Sequence, residues 1–280
     1  MITFQVDNIE QSIPSEWNEL SKQELKFIAA RFHLLALEPK DEREKYQQFI
    51  FKFRLVAMML RIKFWQLQLQ VKMAKVNKEQ MLLLADLANF IFPLKDIELT
   101  KNLLPKIRNR GVWIYGPNQL LSNISLEEFA FADKYFLNFM KAASAEDKEN
   151  ALTKLVACLY RNKKFYISNE NFKGDNRINF NSYLIDNLTV KYKSISLVEK
   201  LCVLMFYWGC RNELVKLYPN VFNSGNKGKA SASSLGWVGV IFELGGDKIG
   251  TIDQVATKNM HYMLTFLENE IKKSLTKTKT

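Results

Sequence analysis

A helix-start signal occurs five times along the chain and limits the folds open to it. At each occurrence a residue able to cap a helix stands three positions before Glu or Gln, the spacing of a capping box. The five pairs are Ser21–Glu24, Asn77–Gln80, Ser125–Glu128, Ser196–Glu199 and Thr251–Gln254. Apolar stripes at helical spacing follow these pairs, whereas stretches with the two-residue period of a strand are few. The sequence therefore predicts a mainly α, multi-helix, bundle-like globular fold with a few short strands or extended segments.

The helix signals also suggest where the chain divides. Pro93 ends the helix that begins near Asn77, and the less regular residues 94–124 follow it. We therefore predict an N-terminal helical region over residues 1–92 and a mainly helical C-terminal region over residues 93–280. A chain of 280 residues can also form one continuous domain, and that alternative stays open.

Residues 104–161 join a turn-rich motif to two helices. The motif Trp113-Ile-Tyr-Gly-Pro117 contains a turn signal, because Gly allows a positive φ and Pro fixes the next φ. Trp113 and Tyr115 lie on the same side of the backbone if this segment is extended. They could form an exposed recognition surface. Aromatic residues of this kind more often pack in the core, and core packing is our prediction.

The helix that follows Ser196 is predicted to be the central buried helix, because residues 201–210 are apolar on nearly every face. Trp208 should therefore be buried against the helices of residues 125–161. Arg211 lies three positions further on the same helix face, and a buried charge needs a partner. We predict that Asp133 is this partner. The alternative is that Arg211 is a recognition residue.

The chain has a formal net charge of +11, which favours an acidic partner such as nucleic acid, an anionic membrane or an acidic protein. Residues 46–78 most resemble a nucleic-acid-binding stretch, because basic and aromatic side chains alternate there without an acidic residue. The candidate contacts are Lys52, Arg54, Arg61 and Lys63, together with the C-terminal Lys272, Lys273, Lys277 and Lys279. We favour the competing interpretation, in which the aromatic residues are core and the cations are solvated. Whether residues 62–73 form a strand or a helix stays open.

The residues that carry chemistry are few. His33 and His261 are the only histidines, and neither stands in a metal-ligand spacing. The three cysteines lie in apolar helical stretches and are expected to be buried thiols. The run from Leu201 to Cys210 is the longest apolar one, too short for a membrane span. We therefore predict no enzyme, no catalytic residue, no cofactor, no metal and no membrane partner.

Three pairs of segments, in this order, resemble a known family. The first pair is Glu98-Leu-Thr-Lys-Asn-Leu-Leu-Pro105 with Trp113-Ile-Tyr-Gly-Pro117. The second is Glu127-Glu-Phe-Ala-Phe-Ala-Asp133 with Leu155-Val-Ala-Cys-Leu-Tyr-Arg161. The third is Trp208-Gly-Cys-Arg-Asn212 with Gly245-Gly-Asp-Lys-Ile-Gly-Thr251. Together they resemble a family of uncharacterised proteins encoded in tailed-phage and prophage gene clusters, over roughly residues 80–270.

This resemblance implies a role in phage tail or virion assembly, as a tail assembly chaperone or a minor structural component. The expected function is non-enzymatic and works by protein–protein contact. The expected partners are other phage or virion proteins, or further copies of this chain, in the host cytoplasm or in the virion. The alternative is a basic nucleic-acid-binding protein that uses residues 46–78 and the Lys-rich C-terminus.

Overall fold

The computed structural model describes residues 1–6, 9–35, 39, 41–61, 77–165, 174–223, 236–246 and 249–277. Within these ranges the chain forms twelve α-helices and two antiparallel sheets of two strands each. The predicted mainly α, multi-helix fold is therefore confirmed. Among the helices described, none is both long and apolar enough to cross a membrane.

The chain divides into two compact units, residues 1–99 and residues 100–280. The first unit begins with a hairpin of strands β1 (Ile2–Val6) and β2 (Ile9–Ile13). Its helices are α1 (Lys22–Ala29), α2 (Phe32–Leu35), α3 (Glu42–Met59) and α4 (Lys78–Asp86). Helix α3 packs against the other three, and its Phe51 ring stacks on Phe27 with the centroids 5.6 Å apart. The core of this unit is therefore built around α3.

The second unit begins with a hairpin of strands β3 (Lys106–Asn109) and β4 (Val112–Tyr115). Its helices are α5 (Leu126–Lys141), α6 (Ala145–Leu159), α7 (Ile185–Tyr192), α8 (Leu197–Leu217), α9 (Pro219–Asn223), α10 (Trp237–Leu244), α11 (Ile252–Thr257) and α12 (Met260–Lys277). Helices α5 and α6 pack along each other, and α7 and α8 pack on α6. Helices α10, α11 and α12 cover another side of α5.

Helix α8 has the central place that the sequence predicts. All side chains from Lys200 to Tyr207 are buried. Trp208 is only half-buried, although its ring meets Phe136 of α5 edge-on with the centroids 5.7 Å apart. The predicted contact with the helices of residues 125–161 is confirmed, but the predicted full burial of Trp208 is wrong. Each helix residue turns the side-chain direction by about 100°, and it is Tyr207 that points into the core.

The predicted helix starts are present, but the capping boxes at Ser125 and Ser196 are incomplete. Complete capping boxes form at Ser21, Asn77 and Thr251. At Ser125 the hydroxyl accepts the N–H of Glu128 at 3.1 Å, which is half of the box. Within the described chain, the Glu128 carboxylate does not return to Ser125; it turns inward to two arginines.

Candidate functional site

The β3–β4 hairpin presents a face of cationic and aromatic side chains. In its register Lys106 pairs with Tyr115, and Arg108 pairs with Trp113. Residues that are directly opposite in a sheet project from the same face. We call these four residues the hairpin face.

Trp113 is exposed on the hairpin face. Its side chain is 42% exposed, and Lys106 Nζ lies 4.9 Å from the centroid of its ring, within the range of a cation–π contact. Tyr115 is half-buried. The prediction that Trp113 packs in the core is wrong, because strand alternation turns the neighbouring Ile107 and Ile114 inward instead.

The hairpin lies in a part of the sequence without acidic residues. Between Glu98 and Glu127 the chain has four cations and no anion, the cations being Lys101, Lys106, Arg108 and Arg110. All four are exposed. Their fields add up at the surface and favour an anionic partner.

Both ends of the hairpin are fixed to the helical part of the unit. Tyr115 and Arg161 exchange two backbone hydrogen bonds of 2.8 and 3.1 Å. At the turn end, the Asn109 side chain donates to the Lys191 carbonyl at 3.4 Å and accepts from Ser194 Oγ at 2.8 Å. The hairpin face is thus held by the segments that follow α6 and end α7.

A polar cleft of about 280 Å³ opens next to the hairpin. Tyr115 lines the cleft as well as belonging to the hairpin face. Five further lining side chains are carboxamides, namely Asn102, Asn118, Gln119, Asn123 and Asn176. Lys101, Asp175 and Arg177 add charged groups to the lining. We call it the amide cleft.

Tyr160 supports the amide cleft from inside. Its ring is fully buried, and its hydroxyl lies 2.6 Å from the Leu104 carbonyl and 3.2 Å from Asn102 Oδ1. Burial raises the pKa of this phenol, so the hydroxyl acts as a donor. Gly116 of the Tyr-Gly-Pro turn lies against the ring, where an added Cβ would come within 2.4 Å of Tyr160 Cζ. The turn therefore needs glycine for space.

Arg177 leads from the cleft to a buried ionic cluster. Glu128 accepts from Arg177 Nη1 at 2.7 Å and from Arg161 Nη2 at 2.9 Å. The Asp175 carboxylate accepts from Arg177 Nε and Nη2, both at 2.9 Å. The side chains of Glu128, Arg161 and Arg177 are at most 3% exposed. Sequence reasoning assigned Glu128 to a cap and did not single out Arg177.

The ionic cluster contains two cations and two anions, so its formal charges balance. Arg161 also donates to the carbonyls of Cys158 and Ile178, and Arg177 donates to the carbonyl of Leu159. Burial by itself lowers the pKa of Arg177, but the carboxylates of Glu128 and Asp175 outweigh it and raise the pKa. A guanidinium held charged in this way binds and positions groups, and it does not transfer protons.

The predicted pairing of Arg211 with Asp133 is confirmed. Arg211 Nε donates to Asp133 Oδ1 at 2.6 Å, and the Tyr207 hydroxyl donates to the same oxygen at 3.1 Å. Asp133 is buried, while a quarter of the Arg211 side chain is exposed. The guanidinium also lies 5.6 Å from the Phe136 ring centroid. Trp208 and Arg211 therefore both contact the Phe136 ring.

The described part of residues 46–78 belongs mainly to α3. Phe51 and Phe53 are buried there, so they are not available to stack on bases. Lys52 donates to Asn89 at 2.7 Å and lies over the Phe92 ring at 4.9 Å, and burial lowers its pKa. The other two candidates of this region that are described are exposed, namely Arg54 and Arg61. Lys63, Lys279 and the strand-or-helix question at 62–73 lie outside the described residues.

The histidines and cysteines have structural partners or surroundings. His261 Nε2 donates to the Leu120 carbonyl at 2.8 Å, and its Nδ1 shares a hydrogen bond of 3.0 Å with the Tyr218 hydroxyl. All three cysteines are buried, and burial raises the pKa of Cys158 and Cys210. In the described ranges, no three His, Cys, Asp or Glu side chains come together as a metal site.

These arrangements give the second unit an exposed cationic surface and a polar cleft, both suited to binding. No family model, no curated protein and no solved structure matches this chain.

Proposed function

We propose that this protein is a non-enzymatic assembly protein of a tailed-phage particle, a chaperone or minor structural component that works by protein–protein contact. The ordered segments that resemble phage and prophage proteins support the phage context. The contact surface of this proposal is the hairpin face, and the observation that carries it is the exposed Trp113 among cations. The protein acts in the host cytoplasm or in the virion.

The composition of the hairpin face fits a protein contact. Trp, Tyr and Arg are the residue types that most often dominate the binding energy of protein interfaces. The bonds from Arg161 and Asn109 hold the hairpin in place before binding, which reduces the entropy lost on association. Because its charged members are cations, the partner surface is acidic.

Replacement of Trp113 by alanine in the phage or prophage that encodes this chain tests the proposal. We expect the yield of infectious particles to fall at least tenfold, with the purified variant unfolding at the wild-type urea midpoint. Tyr183→Ala is the matched control, because this aromatic side chain is 92% exposed and lies outside the hairpin. Normal particle yield with Trp113→Ala would remove the hairpin face from the proposal.

Nucleic acid is a second candidate partner, since the hairpin face carries both cations and aromatic rings. Phosphate contacts release counterions, so such binding falls steeply with salt. We expect only weak, sequence-independent DNA binding that moderate salt abolishes. Tight binding at physiological salt that is lost in Arg108→Gln would favour nucleic acid over a protein partner.

A further inference from the structure

The amide cleft has more hydrogen-bonding capacity than the fold uses. Asn102 is occupied, because it donates to the Pro117 carbonyl at 2.8 Å and accepts from the Leu104 N–H at 3.0 Å. Asn123 accepts the Asn118 N–H at 2.7 Å. Three further cleft amides are exposed to solvent, and among the described residues their side chains have no hydrogen-bond partner, namely Asn118, Gln119 and Asn176. Each offers one acceptor and two donor hydrogens.

The wall that carries Gln119 is held in an unfavourable backbone conformation. The following residues, Leu120 and Leu121, have φ angles of 51° and 57°, which residues with a Cβ rarely adopt. The Leu120 N–H donates to Thr100 at 2.8 Å, and its carbonyl accepts from His261 at 2.8 Å. Strain that the surroundings hold in place in this way clusters at ligand sites.

The chemistry of the cleft matches a nucleobase. Carboxamides pair with the adjacent donor and acceptor atoms on the edge of a base, and an aromatic ring such as Tyr115 stacks on its face. The volume of about 280 Å³ lies just below the roughly 300–1,000 Å³ typical of ligand pockets, so the cleft has room for one nucleotide at most. Lys101 lines the cleft and Lys106 pairs with Tyr115, so two cations stand near for a phosphate.

We propose that the amide cleft binds one nucleotide. Its base stacks on Tyr115 and is hydrogen-bonded by Gln119 and Asn176, and its phosphate is held by Lys101. The nucleotide is either free or part of a single strand, since both present the same base and phosphate. This inference goes beyond the proposed assembly function and does not depend on it.

Calorimetric titration of the full-length protein with AMP, GMP, CMP and UMP tests the inference. We expect saturable one-to-one binding of at least one of them. Gln119→Ala and Asn176→Ala should each weaken it about tenfold, which is about 1.4 kcal/mol. Tyr115→Phe should keep the binding and Tyr115→Ala should remove it, because the ring face is what stacks. The matched control is Asn150→Ala, an exposed amide of α6, which should bind as the wild type does.

A parallel titration with short single-stranded oligonucleotides distinguishes the two sources. Equal affinity for mononucleotide and oligonucleotide identifies a free nucleotide as the ligand, and a preference for the oligonucleotide that the cleft variants abolish identifies a strand. The inference is overturned if no nucleotide or oligonucleotide saturates the protein. It is also overturned if Gln119→Ala and Asn176→Ala bind as tightly as the wild type. Gln119 and Asn176 lie outside the hairpin face, so the results with these two variants leave the test of the assembly function by Trp113→Ala unaffected.

Discussion

At the scale of single residues, Glu128 joins three parts of the second unit. Its backbone N–H is capped by Ser125 at the start of α5, and its carboxylate accepts from Arg161 and Arg177. Removing one member of a buried ion pair leaves its partner charged, desolvated and uncompensated, which typically costs about 3–5 kcal/mol. Glu128 should therefore contribute far more to stability than the adjacent Glu127.

Glu128→Gln should lower the free energy of unfolding by about 3 kcal/mol or more, because the amide cannot balance two guanidinium groups. Urea denaturation followed by circular dichroism gives this value. Glu127→Gln is the matched control and should cost less than about 1 kcal/mol, since this carboxylate is only half-buried and the ion pairs described for Arg161 and Arg177 do not include it. Equal midpoints for the two variants would contradict the structural role assigned to the ionic cluster.

The contact between Arg211 and Asp133 leads to a second prediction at this scale. Arg211→Ala and Asp133→Asn should each destabilise the protein, because the first leaves the buried carboxylate without its guanidinium and the second leaves the guanidinium without its carboxylate. Residues in contact give non-additive effects, with an interaction energy of about 0.5–3 kcal/mol. A double-mutant cycle from urea denaturation measures it. Additive losses would contradict an energetic coupling between the two residues. A fully stable Arg211→Ala protein that has lost partner binding or phage assembly would instead make Arg211 a recognition residue.

At the scale of elements, local signals predicted the helices well and the hairpin poorly. The capping boxes at Ser21, Asn77 and Thr251 were predictable because both partners lie within one helix turn. The hairpin depends on Arg110, whose φ of 47° is unusual for a residue with a Cβ. Glu128 could not be assigned from sequence, because Arg177 is 49 positions away and no local pattern links the two.

The Tyr-Gly-Pro turn gives a prediction at the element scale. Gly116→Ala places a methyl group where the Tyr160 ring lies, and this ring is fixed by its hydroxyl contacts to Leu104 and Asn102. Overpacking of this kind typically costs about 1–3 kcal/mol. Urea denaturation should show this loss when Gly116→Ala is compared with the wild-type protein. The loss should be smaller when the double variant Gly116→Ala, Tyr160→Ser is compared with Tyr160→Ser alone. Identical costs in the two backgrounds would mean that the turn does not require glycine for space.

At the scale of the whole molecule, the division between the units follows contacts that the sequence does not reveal. The sequence places the boundary between residues 92 and 93, because Pro93 ends a helix. The chain divides into its compact units between Leu99 and Thr100. The Asn18 side chain donates to the Glu98 carbonyl at 3.1 Å, which ties residues beyond Pro93 to the first unit. The Leu120 N–H donates to the Thr100 carbonyl at 2.8 Å, which ties Thr100 to the second unit.

Fragments of the first unit test this division. Residues 93–99 contain Leu94, Ile97 and Leu99, all at most 2% exposed, and burying one such side chain contributes about 1.5–3 kcal/mol. A fragment of residues 1–99 should therefore unfold in urea at a clearly higher midpoint than a fragment of residues 1–92. A fragment of residues 1–103 is the matched control and should behave as 1–99 does, because the added residues belong to the second unit. Equal midpoints for 1–92 and 1–99 would place the boundary at Pro93, since residues 93–99 would then contribute nothing to the stability of the first unit.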